Sequence, residues 1–376
     1  MNGQHDDSPT IREPAVTLDD LTRGLIWPML LRAPALALRP ERWLTGVAAV
    51  VVLGLIGSIS GLWAGDDGRP FMDMISAHLI DPTGAIFESI MPWRWDQWEP
   101  QVFLGALGEL LLAPARMLDE DPWAVVALGI PMLIVWAVAG VAIGRSAAFE
   151  VSLARVVPWP QALGFALRRW LSGFGAIAAP LLLIAVIHLL IAVGGFVLFT
   201  WPGGDVVGAV VHVLGMAAAL VAVLVGVGYL LGWSMLVPAL ACEGTDALDA
   251  IQRVYAYVIG RPLRLLVYLF LAGLVGLVAF VVIVFVRELA VGMADGAAAQ
   301  WSGERGTTIL ARTPDTGGTM GAAIWVLGIW RALLDVLVAG FVVSYVHTAG
   351  TLIYLMCRRV NDGQEIAELW TGEDGR

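Results

Sequence analysis

Six long intervals of this chain contain no charged residue: Trp43–Gly65, Pro122–Gly144, Trp170–Gly204, Val206–Cys242, Leu265–Val286 and Val336–Cys357. A helix of about 20 apolar residues, rising 1.5 Å per residue, crosses the roughly 30 Å of hydrocarbon in a bilayer. Hydrophobic residues make up 59% of the chain and charged residues 14%. So few polar side chains cannot cover a water-soluble exterior. The expected fold is all-α, a polytopic transmembrane helical bundle of six spans near 43–65, 122–144, 177–199, 206–236, 265–286 and 336–357. Trp201-Pro202-Gly203-Gly204-Asp205 breaks the helix between the third and fourth spans. The fourth interval, longer than one crossing, either runs on as a tilted or protruding helix or breaks near Gly226 and Gly228.

Orientation follows from arginine, because the chain has no lysine. With the N-terminus inside, fifteen Arg fall on inner segments and six on outer ones. That bias favours both termini in the cytoplasm. The polar first twenty residues lack a cleavable signal, so the first span is expected to direct insertion. Trp43, Trp63, Trp123, Trp170 and Trp201 mark span ends, where the indole prefers the interface. Residues 1–17 and 358–376 read as cytoplasmic tails, disordered up to Val16 and again from Asn361. The insertion 66–121 is outer, acidic and rich in Trp; its segment Gln101–Leu118 reads as a helix lying on the outer leaflet or packed on the bundle. A second outer loop runs over Arg287–Met320.

Arg42-Trp43-Leu44-Thr45-Gly46 recurs as Arg169-Trp170-Leu171-Ser172-Gly173, and Arg39-Pro40-Glu41-Arg42 as Arg261-Pro262-Leu263-Arg264. Each motif opens an odd-numbered span and follows an amphipathic stretch: Leu18, Leu21, Leu25 and Met29; Leu163, Leu167, Trp170 and Phe174; Leu248, Ile251, Tyr255 and Val258. Three units are expected, each an interfacial elbow helix followed by a membrane hairpin.

Few residues suggest chemistry. His188 and His212 fall inside the third and fourth spans, where an ionisable group is costly, and a short hairpin would let them face each other. Arg331 and Asp335, four apart, would meet on one face of the sixth helix as a self-neutralised pair, with His347 deeper. His188, His212, Arg331 and Asp335 are the candidate positions for an ion or small-molecule permease. Asp66-Asp67 and Asp119-Glu120-Asp121 lack Ca²⁺-loop spacing and read as solvated. Trp93, Trp95 and Trp98 read as an interfacial anchor. Gly57–Gly61, Gly140–Gly144 and Gly228–Gly232 are small-residue packing patterns. Cys242 and Cys357 form no CxxC, so neither a disulfide nor a zinc site is expected.

No nucleophile elbow, HExxH, Walker A or dinucleotide fingerprint is present, and no basic footprint for nucleic acid. An enzyme and a cofactor are therefore not expected. Pro238 to Arg253 closes a span in Pro, turns through Glu243-Gly244 and continues as an Ala-rich amphipathic helix carrying Arg253. This segment resembles a bacterial pattern, the six-helix membrane domain found beside glycerophosphoryl diester phosphodiesterases, which implies a place in the plasma (inner) membrane of a bacterium. The likeness extends over 159–359, with Arg253-Val254 where that pattern has Arg-Ser. The catalytic barrel is missing, so the resemblance implies a six-helix bundle with cytoplasmic elbows and an accessory role, but no phosphodiesterase activity. The expected function is a non-catalytic membrane scaffold that organises its partners: membrane lipids, other membrane proteins or copies of itself.

Overall fold

A computed structural model describes residues 26–63, 71–90, 99–201, 204–311 and 317–372, without the side chains of 60–63 and 90. Residues 1–17, Leu18, Leu21, Leu25, Asp66, Asp67, Trp93, Trp95 and Trp98 lie outside the described residues or their side chains. A 3-10 turn, Trp27–Arg32, leads into α1 (Ala33–Ala37) and α2 (Pro40–Trp63). The stretch α3 (71–90) and α4 (Pro100–Glu120) follow, then α5 (Pro122–Leu153) and α6 (Trp159–Arg168). The rest is α7 (Trp170–Phe199), α8 (Gly204–Glu243), α9 (Ala247–Gly260), α10 (Pro262–Ala299), α11 (Gly303–Leu310) and α12 (Gly318–Asp362). All regular structure among the described residues is helical, and the chain is a multi-pass membrane protein.

Local chemistry sets the helix ends. Asp246 accepts a hydrogen bond from the Asp249 amide (3.0 Å) to start α9, and Asp121 accepts one from Ala124 (2.9 Å) to start α5. Gly363, with φ 69°, ends α12 in the left-handed conformation. One π-turn, Ser76–Ile80, precedes Pro82 inside α3, and another, Val125–Gly129, precedes Pro131 inside α5. The wider turn relieves the clash between a helical proline and the preceding carbonyls.

Seven helices are long and apolar enough to cross a membrane, against the six spans expected; α4 is the addition. Topology constrains it. Arg42 of α2 meets Glu150 of α5 at one end, and Gly57 lies beside Met132 near the other. The two helices are therefore antiparallel, and the segment between them leaves and returns at the same end. Crossings within it come in pairs or not at all. α3 and α4 pack on each other, with His78 Nε2 3.0 Å from Glu120 Oε1. The pair leans on the long helices: Phe87 lies against Gly273 of α10, and Leu111 fills the space at Gly226 of α8. Of the two alternatives for the fourth interval the helix runs on: α8 is continuous through 40 residues, with no break at Gly226 or Gly228. The two glycines instead leave room for Leu111 and for the Tyr255 ring of α9.

Three units are visible, each a short elbow (27–37, α6, α9) followed by a rising and a returning helix. The returning helices α5, α8 and α12 form an inner triad, running parallel and in register. Gly140 meets Val237 and His347; one turn on, Gly144 meets Ala241 and Thr351. Pro238 cannot donate to the Ser234 carbonyl, and Gly350 of α12 moves onto that oxygen. A Cβ at Gly350 would sit 2.0 Å from it. α2 crosses α12 as closely, with a Cβ at Gly46 only 2.2 Å from the Gly340 carbonyl. The rising helices α7 and α10 stay outside, with few buried residues.

Candidate functional site

The C-terminal ends of the triad gather charges from all three units, at what is called here the elbow end. Arg42, 1% exposed, donates to Glu150 (2.7 Å), Ser146 (3.2 Å) and the Leu36 carbonyl (2.6 Å). Arg39 reaches the other oxygen of Glu150 at 3.0 Å. Arg358, also 1% exposed, donates to Glu243 (2.8 Å) and to the Glu365 and Glu368 carbonyls. Tyr354 donates to the same Glu243 oxygen at 3.0 Å, and Arg253 stands 3.9 Å from the other. Tyr257 of α9 donates to Asp362; burial first, then that carboxylate, pushes its phenol well above the ordinary value. Such pairs hold together because removing one partner strands a buried charge.

The repeated sequence motif has a structural meaning here. Arg42 and Arg169 occupy the same motif position, and each reaches the end of its own unit's returning helix. Arg42 pairs with Glu150; Arg169 donates to the Thr245 carbonyl at 2.8 Å. Arg264, the third equivalent, is exposed. Arg145 bonds the Ala241 and Trp370 carbonyls at 2.9 and 2.8 Å, under the rings of Phe149, Phe165 and Trp370.

The C-terminal segment expected to be disordered completes this layer. Residues 363–372 fold back under the elbow end, with Leu369 buried and Ile366 packed on the core. Trp370 fills the space over Gly244, whose φ of 62° suits glycine. The apolar triplet Ile366, Leu369 and Trp370, spaced three and one apart, was the available signal; acidic neighbours hid it.

The histidines and the sixth-helix pair lie elsewhere. His188 and His212 are both exposed, on a hairpin whose outward surface is Leu, Val and Phe. Among the described residues no hydrogen bond or ring contact joins them, and His212 meets Phe199 edge-on at 6.2 Å. The hairpin sets Gly208 against Leu198 and Gly215 against Ile191, so the two histidines lie at different levels and the expected juxtaposition does not form. His347 is the buried histidine, tilted against Trp136 at 4.7 Å with Nε2 unpartnered among the described residues. Arg331 and Asp335 do not pair with each other. Arg331 bonds Asp295, and Asp335 takes Arg287 at 2.8 Å, because α10 runs beside α12 and offers both partners. These four line a cavity of about 470 Å³ with Glu288 and Leu310. It lies far from the elbow layer, near the opposite, loop end. No group of three or more His, Cys, Asp or Glu able to hold a metal occurs among the described residues.

Comparison of the chain with family models, with curated proteins and with solved structures finds no match.

Proposed function

We propose that this chain is a non-catalytic membrane scaffold of the bacterial inner membrane that organises lipid or partner proteins. One contrast carries the reading: a closed, charge-latched elbow end beneath long apolar helices with little protein cover. No residue in the most apolar stretch of α7 is buried, and 6% are in α8. Such faces take acyl chains or another membrane helix as their solvent. Gly140, Gly144 and Gly350 bring the triad into contact where a conduit would have to pass. Both termini are assigned to the cytoplasm, since Arg39, Arg42, Arg145, Arg169, Arg261 and Arg358 share the elbow end. The backbone then crosses six times, with α3 and α4 entering from the outer side. The accessory role agrees with the resemblance of Pro238 to Arg253 noted above. Native mass spectrometry after gentle extraction tests this: lipid or a partner stays bound, whereas a bare monomer sinks the proposal.

A second reading, a permease for ions or small molecules, draws on the loop-end cavity and its four opposed charges. It requires flux in loaded vesicles that falls with Asp335→Asn or His188→Leu. Unchanged flux in both variants removes it.

A further inference from the structure

Arg145 is 6% exposed, yet no ion pair joins it or Arg169 to a carboxylate among the described residues. The two guanidinium groups sit on the same rings. Arg145 lies 4.6 Å from the centre of Phe165 and 5.1 Å from Trp370; Arg169 lies 5.5 and 5.4 Å from them. Their hydrogen bonds go to the carbonyls of Ala241, Thr245 and Trp370. Ala241 and Thr245 lie at the end of α8, and a helix C-terminus supplies about half a negative charge. Two full positive charges exceed that, and aromatic faces add attraction without net charge. Arg145 uses Nη1 for both of its bonds, so Nε and Nη2 have no hydrogen bond among the described residues. Glu150 and Glu243 are engaged by Arg42, Arg39 and Arg358, and Asp246, next to Thr245, accepts a hydrogen bond from the Asp249 amide as the cap of α9.

We propose that Arg145 and Arg169 form a binding site for a phosphate-bearing anion, closed from below by Trp370 and the segment 363–372. The planar guanidinium fork matches phosphate oxygens in a bidentate way. Arg169 immediately precedes α7, and exposed Trp170 follows it, at the depth where a phospholipid headgroup lies. The phosphate comes from such a headgroup or from free inorganic phosphate. In its lipid form the inference rests on the scaffold reading and gives it a named contact.

The full chain, purified in neutral detergent, is given inorganic phosphate against chloride at equal ionic strength. It is separately given phosphatidylglycerol against diacylglycerol, which lacks phosphate. Thermal midpoint and native mass spectrometry are the readouts. The wild type is expected to gain stability from phosphate, to retain phosphatidylglycerol, or both. Arg169→Gln weakens that binding about ten-fold, the loss of one charge-assisted contact. Exposed Arg155→Gln at the same end leaves it unchanged. Should Arg145→Gln fail to fold, Arg169→Gln decides alone. No preference for phosphate in either arm, or binding by Arg169→Gln equal to wild type, overturns the site. So does an equal loss of stability in Glu373→Gln/Asp374→Asn with no gain from phosphate, since the chain's own acids would then supply the counter-charge. Lipid retained equally by Arg169→Gln removes the site and leaves the scaffold reading. Arginine-dependent protection by phosphate without retained lipid does the reverse.

Discussion

The elbow half and the loop half of this bundle are built on opposite plans. At the elbow end, backbones approach through glycine, and the space between helices is occupied by paired charges, Arg42 with Glu150 and Arg358 with Glu243. Toward the loop end, α7 and α8 stay packed on each other as a hairpin, with Gly208 against Leu198 and Phe199, but the Leu, Val and Phe side chains of α7, α8 and α10 face outward. Charges occur there too, in Arg287 with Asp335 and Arg331 with Asp295, but Asp335 is 62% exposed. Arginine–carboxylate pairs thus lock one end and decorate the other. Burial makes the difference, because a pair within reach of solvent is weak and a desolvated pair is costly to break.

The contrast can be broken most forcefully at Glu150. Glu150→Leu strands Arg42 and should cost about 3–5 kcal/mol, read as the midpoint of unfolding in detergent. Gly350→Ala comes next, since its Cβ meets the Ser234 carbonyl; overpacking there should cost about 1–3 kcal/mol, and Gly273→Ala, facing only Phe87, should be milder. Trp370→Ala should cost about 1–3 kcal/mol and speed proteolysis after Gly363, because it uncovers Arg145 and Gly244. Asp335→Asn should change stability by less than about 1 kcal/mol. His188→Leu, on the exposed face of α7, should fall within about 0.5 kcal/mol of wild type by the same unfolding assay. A large loss in either of the last two would show that the loop half is as tightly built as the elbow half.

Helix positions and the elbow plan were legible because they depend on local pattern: charge-free runs, Arg-Trp at helix entries, and an amphipathic stretch before each. The elbow-end latches were not. Glu150 and Glu243 look from sequence like boundary charges that terminate a span, and their partners lie 108 and 115 residues away. The rule that an ionisable group inside a span faces the protein interior misplaced His188 and His212, since their hairpin has protein on one side only. The same rule described His347 well, though alone it carried no signal. Spacing of four paired Arg331 with Asp335, but α10 competes for both, and a neighbouring helix is invisible to intrahelical spacing. The helical nature of 101–118 was readable from its apolar periodicity; its place against Gly226 was not, because a glycine far along the chain supplies the room.

The triad draws one helix from each unit, and the last of them, α12, begins at Gly318. During synthesis, then, α5 and α8 enter the bilayer long before Thr351 and Gly350 exist to cover them. Until the segment beyond Gly318 has been made, Glu243 lacks Arg358 and Arg145 lacks the covering Trp370. The nascent chain must wait, half-assembled, beside the insertion machinery, and a message truncated before α12 would yield a centre of two helices, with Gly144 against Ala241 and nothing on Ser234.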